Sequence, residues 1–141
     1  MKNHTGLDAA IIEDVADALI YADRSGTIRR WNRAAQSLFG YSSEEALGQN
    51  LDLIIPEHLR AAHWKGFEAA MASGVMKLKG RPTLTRATHK SGRKLYIEMT
   101  FALVRDESGE LTGSAAMARD VTERVERERA ARAREPQNPP S

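Results

Sequence analysis

The chain has 141 residues, enough for one domain with a real core and too few for two. It contains no cysteine, which excludes a disulfide, a thiolate metal site and a cysteine nucleophile. Its 21 basic and 19 acidic residues leave a net charge of only +2, which argues against a polycation built for nucleic acid. No apolar run is long enough to span a bilayer and no apolar segment follows the first residues as a secretory leader requires, so a cytoplasmic location without membrane contact is expected.

Leu7 to Asp17 reads as a helix, with Ile11, Ile12 and Val15 at helical spacing. The apolar run Ala18–Asp23, the turn Arg24-Ser25-Gly26 and the run Thr27–Trp31 then read as a β-hairpin. Asn32 is a good N-cap for a helix over Arg33–Phe39, which Gly40 stops. Ser42 and Ser43 with Glu44 and Glu45 start another short helix, where the acids suit the helix dipole. Pro56 permits a longer helix from about Glu57 to Ser73, ended by Gly74, with Leu59, His63, Phe67, Ala70 and Met71 on one face. Three strands follow, over Thr83–Lys90, Arg93–Arg105 and Leu111–Asp120. In the middle one Leu95, Ile97, Met99, Phe101 and Leu103 alternate with Tyr96, Glu98, Thr100 and Ala102. Because the helices interrupt the strands as a block, the fold class is α+β with an antiparallel sheet.

Five segments together resemble the PAS family. They are Asp23–Ile28 followed by Trp31–Ala35, Phe39–Gly48, Ile54–Glu57, His89–Arg93 and Arg119–Arg124. The resemblance implies a five-stranded antiparallel sheet whose concave face, closed by short helices, forms a pocket or a packed core. It divides the chain into an N-terminal helix and flank (1–17), the PAS core (18–120), a C-terminal signalling helix (121–135) and a disordered tail (136–141). It also implies that Glu45 or Glu44 pairs with Lys90, and that Asp120 and Thr122 fasten the sheet to the last helix. That helix has Glu123/Arg127 and Glu128/Arg132 pairs but poorly filled heptad positions, so it would need a partner to become a coiled coil. With no kinase, cyclase or DNA-binding segment in view, output is expected through a partner protein, or the chain is part of something larger.

PAS domains sense through haem, flavin, other small molecules or none. The absence of cysteine excludes the subfamilies that bond a pigment covalently to that residue; noncovalent flavin has no motif here. The segment around His63 is similar to the helix that carries the proximal histidine in oxygen-sensing haem PAS domains of rhizobial kinases. That likeness implies His63 as the ligand to haem iron, Phe67 beside it, Lys77 near a propionate, and Leu78, Met99 and Phe101 lining the distal side. Met76, Met99 and Met117 are then candidate sixth ligands. Two departures matter: Thr83 stands where those sensors place an arginine over bound oxygen, and Ala69 replaces an arginine that helps hold a propionate.

Three functions compete. A sensor module with a small ligand, haem first, leads. A cofactor-free dimerisation module is second, with Ile11, Ile12, Val15 and exposed strand residues such as Tyr96 forming a homodimer interface. An enzyme is not expected, since Glu44, Glu45, Glu98 and His89 are scattered and no catalytic constellation or phosphate loop appears. The basic residues from Lys77 to Lys94 read as a solvated hairpin face; a DNA-bound partner, not DNA itself, is the expected link to transcription, and the signalling partner is expected to be a kinase or regulator.

Overall fold

A computed structural model describes residues 5–76 and 80–135; the tail 136–141, Lys77 and Leu78 lie outside them. Helix α1 spans Thr5–Asp14, strands β1 and β2 Ala18–Asp23 and Ile28–Trp31, and helices α2 and α3 Arg33–Phe39 and Ser43–Ala46. Single turns of 3-10 helix at Leu51–Leu53 and Glu57–Leu59 lead into α4, Arg60–Ser73. Strands β3, β4 and β5 follow at Thr83–Thr88, Lys94–Arg105 and Leu111–Asp120, and α5 at Thr122–Arg134. The five strands form one antiparallel sheet in the order β2-β1-β5-β4-β3, which is the α+β arrangement expected.

The central strand, β5, is made of small residues, Gly113-Ser114-Ala115-Ala116 and Ala118 among them, so larger side chains from its neighbours can meet across it. Register fixes which side chains share a face. Ile20, Ala116 and Phe101 form one row; Ala18, Ala118, Met99 and Thr83 form the next. These rows belong to the inner face, where Ile20, Leu95, Ile97 and Ala87 pack with Ile28, Trp31, Phe39 and Ile54 in one cluster. Trp31 and Phe39 meet with ring centroids 5.4 Å apart.

The amide of Asn32 does more than cap α2. Its Oδ1 accepts from Ala35 N at 3.0 Å and Leu19 N at 2.9 Å, while Nδ2 donates to Ile12 O at 2.9 Å and Asp17 O at 3.0 Å. All four hydrogen-bonding positions of a buried amide are filled, and α1, β1 and α2 are tied at one point. Asp23 organises the β1–β2 turn similarly. Partial desolvation works to raise its pKa, but donors from the Ser25 hydroxyl, Arg29 and the Thr27 and Ser25 amides outweigh it and hold the carboxyl at about 2.

Candidate functional site

Helix α4 turns one stripe towards the rest of the domain. His63, Trp64, Phe67 and Ala70 are half-buried and Met71 is buried, whereas Ala61, Ala62, Lys65, Glu68 and Ala69 are exposed. A stripe that faces inward and yet remains half covered marks the more lightly covered side of the domain. The inner face of the sheet repeats the pattern. Leu95 and Ile97 are buried, Met99 is 8% exposed, and Phe101, Leu103, Thr83 and Thr85 are only half-buried.

Polar latches hold α4 in place. Trp64 Nε1 donates to Asp52 Oδ1 at 2.8 Å, and its ring lies on Gly26, where φ is +83° and any Cβ would overlap the indole. At the other end, Arg24 donates to Met71 O at 3.3 Å and to Leu111 O at 3.2 Å, and Arg105 donates to Gly74 O at 3.0 Å. Two hairpin turns thus supply cations to the carbonyl end of the helix, the sign the helix dipole favours. Nothing in the spacing of Arg24 or Arg105 along the chain announces this role.

His63 sits between these latches. Its ring makes an edge contact with Trp64 at a centroid distance of 4.6 Å and lies 5.9 Å from Phe67. Nδ1 is buried without a hydrogen-bond partner. Burial pushes the imidazole's pKa below its ordinary 6.5, against a smaller opposing pull from Asp52, so the ring is neutral at pH 7. A neutral, desolvated imidazole is the form that donates a lone pair to a metal.

His63 and Phe67 lie on the inward stripe of α4, and Met99 and Phe101 on the inner face of the sheet. Met117 is not with them. It pairs with Leu19 and Thr100, which puts it on the outer face, because the alternation of β5 is set by its neighbours' register and not by its own small residues. It therefore does not line the inner face with Met99, contrary to expectation. Lys77 and Leu78 fall outside the described residues. Thr83 is on the inner face opposite Met99, and Ala69 points away from it on the exposed side of α4. Two cavities, of about 370 and 310 Å³, lie elsewhere, at the α4 C-terminus and beside His58.

The donor set fits a haem in its chemistry. No three His, Cys, Asp or Glu side chains converge as a metal site among the described residues; a metal held by His63 alone would need its other donors from the cofactor itself, as a porphyrin supplies them. Phe67 and Phe101 offer apolar flanks and Met99 a thioether.

The expected clamp and exit are also in place. Lys90 Nζ bonds Glu45 Oε2, and that hydrogen bond leads the causes that lower the Glu45 pKa. Gly40 (φ +85°) ends α2 against His89, whose ring would lie 2.6 Å from a Cβ there. Thr122 N donates to Asp120 Oδ1 at 2.9 Å, and Thr122 Oγ1 accepts from Tyr96 N at 2.9 Å, fastening α5 to β4. Tyr96 is not a free interface residue: Arg129 of α5 lies 5.0 Å from its ring centroid, and the residue is half-buried. No helix among the described residues is long and apolar enough to cross a membrane.

A family profile described as the PAS fold matches residues 6–121. Over 54 residues the chain is 41% identical to Sensor protein FixL of Bradyrhizobium diazoefficiens, covering 38% of this chain and 11% of that protein. It is 31% identical over 93 residues to Oxygen sensor protein DosP of Escherichia coli K12, covering 57% of this chain and 12% of that protein. The chain thus spans only 11% and 12% of the lengths of these two curated relatives. Among solved structures, the PAS domain of a protein from Colwellia psychrerythraea superposes with a TM-score of 0.73 at 24% identity, covering 86% of this chain and 99% of that one.

Proposed function

This chain belongs to the PAS family, and we propose that it is a sensory module whose signal is a small ligand held between α4 and the inner face of the sheet, with haem ligated by His63 as the best single candidate. The observation that carries the reading is His63 itself: a neutral, half-buried imidazole on the inward stripe, with an orphaned nitrogen and aromatic neighbours. Similarity to a protein named an oxygen sensor, over 57% of this chain, supports it. Thr83 in place of a distal arginine argues for a diatomic ligand other than stably bound oxygen, or for a methionine such as Met99 as sixth ligand.

In this reading the chain's own residues bind, exclude water and relay. His63 donates at one nitrogen, while Phe67 and Phe101 cover apolar surface. Strand β4 bears Met99 and Phe101 on its inner face and Tyr96, the anchor of Thr122, near its start, so one strand joins the ligand side to α5. A ligand shifts α5 only if it binds two arrangements with different affinity. No catalysis is assigned to the chain, and its output is passed to a partner protein.

Haem reconstitution tests the reading. Wild-type protein should take up haem stoichiometrically and show a Soret band; His63→Ala should lose the band while keeping its far-UV circular dichroism. No uptake by folded wild-type protein would sink the haem reading, and an unchanged spectrum in His63→Ala would sink His63 as ligand.

A cofactor-free dimerisation module is the second reading, favoured by Leu7 and Ile11 of α1, which are 62% and 52% exposed. Sedimentation of Ile11→Asp tests it: a wild-type dimer that this change makes monomeric, in protein that takes up no haem, would favour it.

A further inference from the structure

The cavity of about 310 Å³ lies between the 3-10 turn at Glu57–Leu59 and the β3–β4 hairpin, and His63 is not among its lining residues. Arg86 of β3 and Lys94 of β4 line it together with His58, Thr88 and Glu57. Arg86 is half-buried, and its Nη2 lies 2.9 Å from His58 Nε2. A guanidinium carries only donors, so the imidazole accepts at Nε2 and steadies the guanidinium without neutralising it.

The carboxylates that form ion pairs lie elsewhere. Every Asp and Glu of the chain is among the described residues, yet the ion pairs go to Arg29, Arg33, Arg60, Lys90, Arg119 and Arg124. Neither Arg86 nor Lys94 takes part in one. Lys90 shows the contrast, since it stands in the same hairpin and is claimed by Glu45. Glu57 lines the cavity without pairing with either cation, so two positive side chains face one negative and the lining is net positive.

We propose that this cavity binds an oxyanion, a carboxylate or phosphate group, through Arg86 and Lys94, with His58 orienting Arg86. A guanidinium and an ammonium carried by two residues that line one concave site suit the several lone pairs of such a group, and charge-assisted hydrogen bonds are the stronger kind. The basic stretch from Lys77 to Lys94 then contains a recognition site in addition to a solvated face. This inference does not depend on whether the interior holds haem.

Amide and side-chain NMR of the full chain during titration with inorganic phosphate, and separately with acetate, tests it at constant ionic strength set with sodium chloride. The expected result is saturable shifts at Arg86, Thr88, Gly92 and Lys94 with at least one of the two anions. Arg86→Gln should weaken that binding about tenfold, and Lys94→Gln should weaken it as well. Arg30→Gln, at an exposed position away from the cavity, should leave it unchanged. Saturation by phosphate alone or acetate alone names the group recognised. Shifts that grow linearly with both anions, or that persist in folded Arg86→Gln protein, would overturn the proposal.

Discussion

At one end of the sheet's inner face Leu95 and Ile97 are fully buried in a cluster with Phe39, Trp31 and Ile54; at the other, Phe101 and Leu103 of the same strand are only half covered. The first end is closed by α2 and α3, whose caps, glycine stop and Lys90–Glu45 clamp leave little freedom. The second is closed by α4, which buries Met71 alone and is held by hydrogen bonds from Trp64, Arg24 and Arg105. Apolar burial contributes most to stability, roughly 1.5–3 kcal/mol for a large side chain, and latches of this kind about 1 kcal/mol each. Apolar burial is therefore concentrated at one end, and the other is closed more by polar latches than by packing.

The largest expected effect is at the packed end. Phe39→Ala should cost about 3–5 kcal/mol, read as a drop in urea midpoint, whereas Phe101→Ala should cost about 1–2 kcal/mol because the ring is only half covered. Equal costs would break the comparison. Asn32→Ala comes next, at about 2–3 kcal/mol, since it strands backbone groups of Leu19, Ala35, Ile12 and Asp17; hydrogen exchange should quicken in α1 and β1 together. Arg105→Ala should cost about 0.5–1 kcal/mol, and should speed exchange at the C-terminal turn of α4 without touching Leu95 or Ile97.

The smallest effect is a pH dependence. The fold holds His63 neutral, so below its ordinary pKa of 6.5 the unfolded chain takes up a proton that the folded one resists. Stability contributed at higher pH should be lost as pH falls from 6.5 through the lowered folded value, and His63→Leu should flatten that slope. An identical pH profile in both proteins would show that the imidazole is not desolvated.

Much of the packed end was legible in the sequence. Period two in Leu95–Leu103, the Asn32 cap and the Gly40 stop each have a local cause, whereas the pairing of Glu45 with Lys90, 45 residues away, follows from the family resemblance. The open end was less so. Met117, a candidate ligand by residue type, has no face legible in the sequence because β5 alternates among small residues, and only pairing with Leu19 and Thr100 settles its side. Tyr96 looked free because the reach of Arg129 depends on where α5 leaves the sheet. Arg24 and Arg105 latch α4 through backbone carbonyls, which leave no residue-type signature. His63 is legible from its helix face and the family resemblance of its segment, whereas its orphaned nitrogen is visible only in the fold.

The two tryptophans fall one to each region. Trp31 is 3% exposed and donates to Tyr41 O at 2.9 Å; Trp64 is half-buried on α4 with Asp52 as its partner. The protein thus carries two intrinsic fluorophores with separate duties. Trp31→Phe would leave Trp64 as the single emitter, and its emission should then report how α4 packs on Gly26 and Asp52.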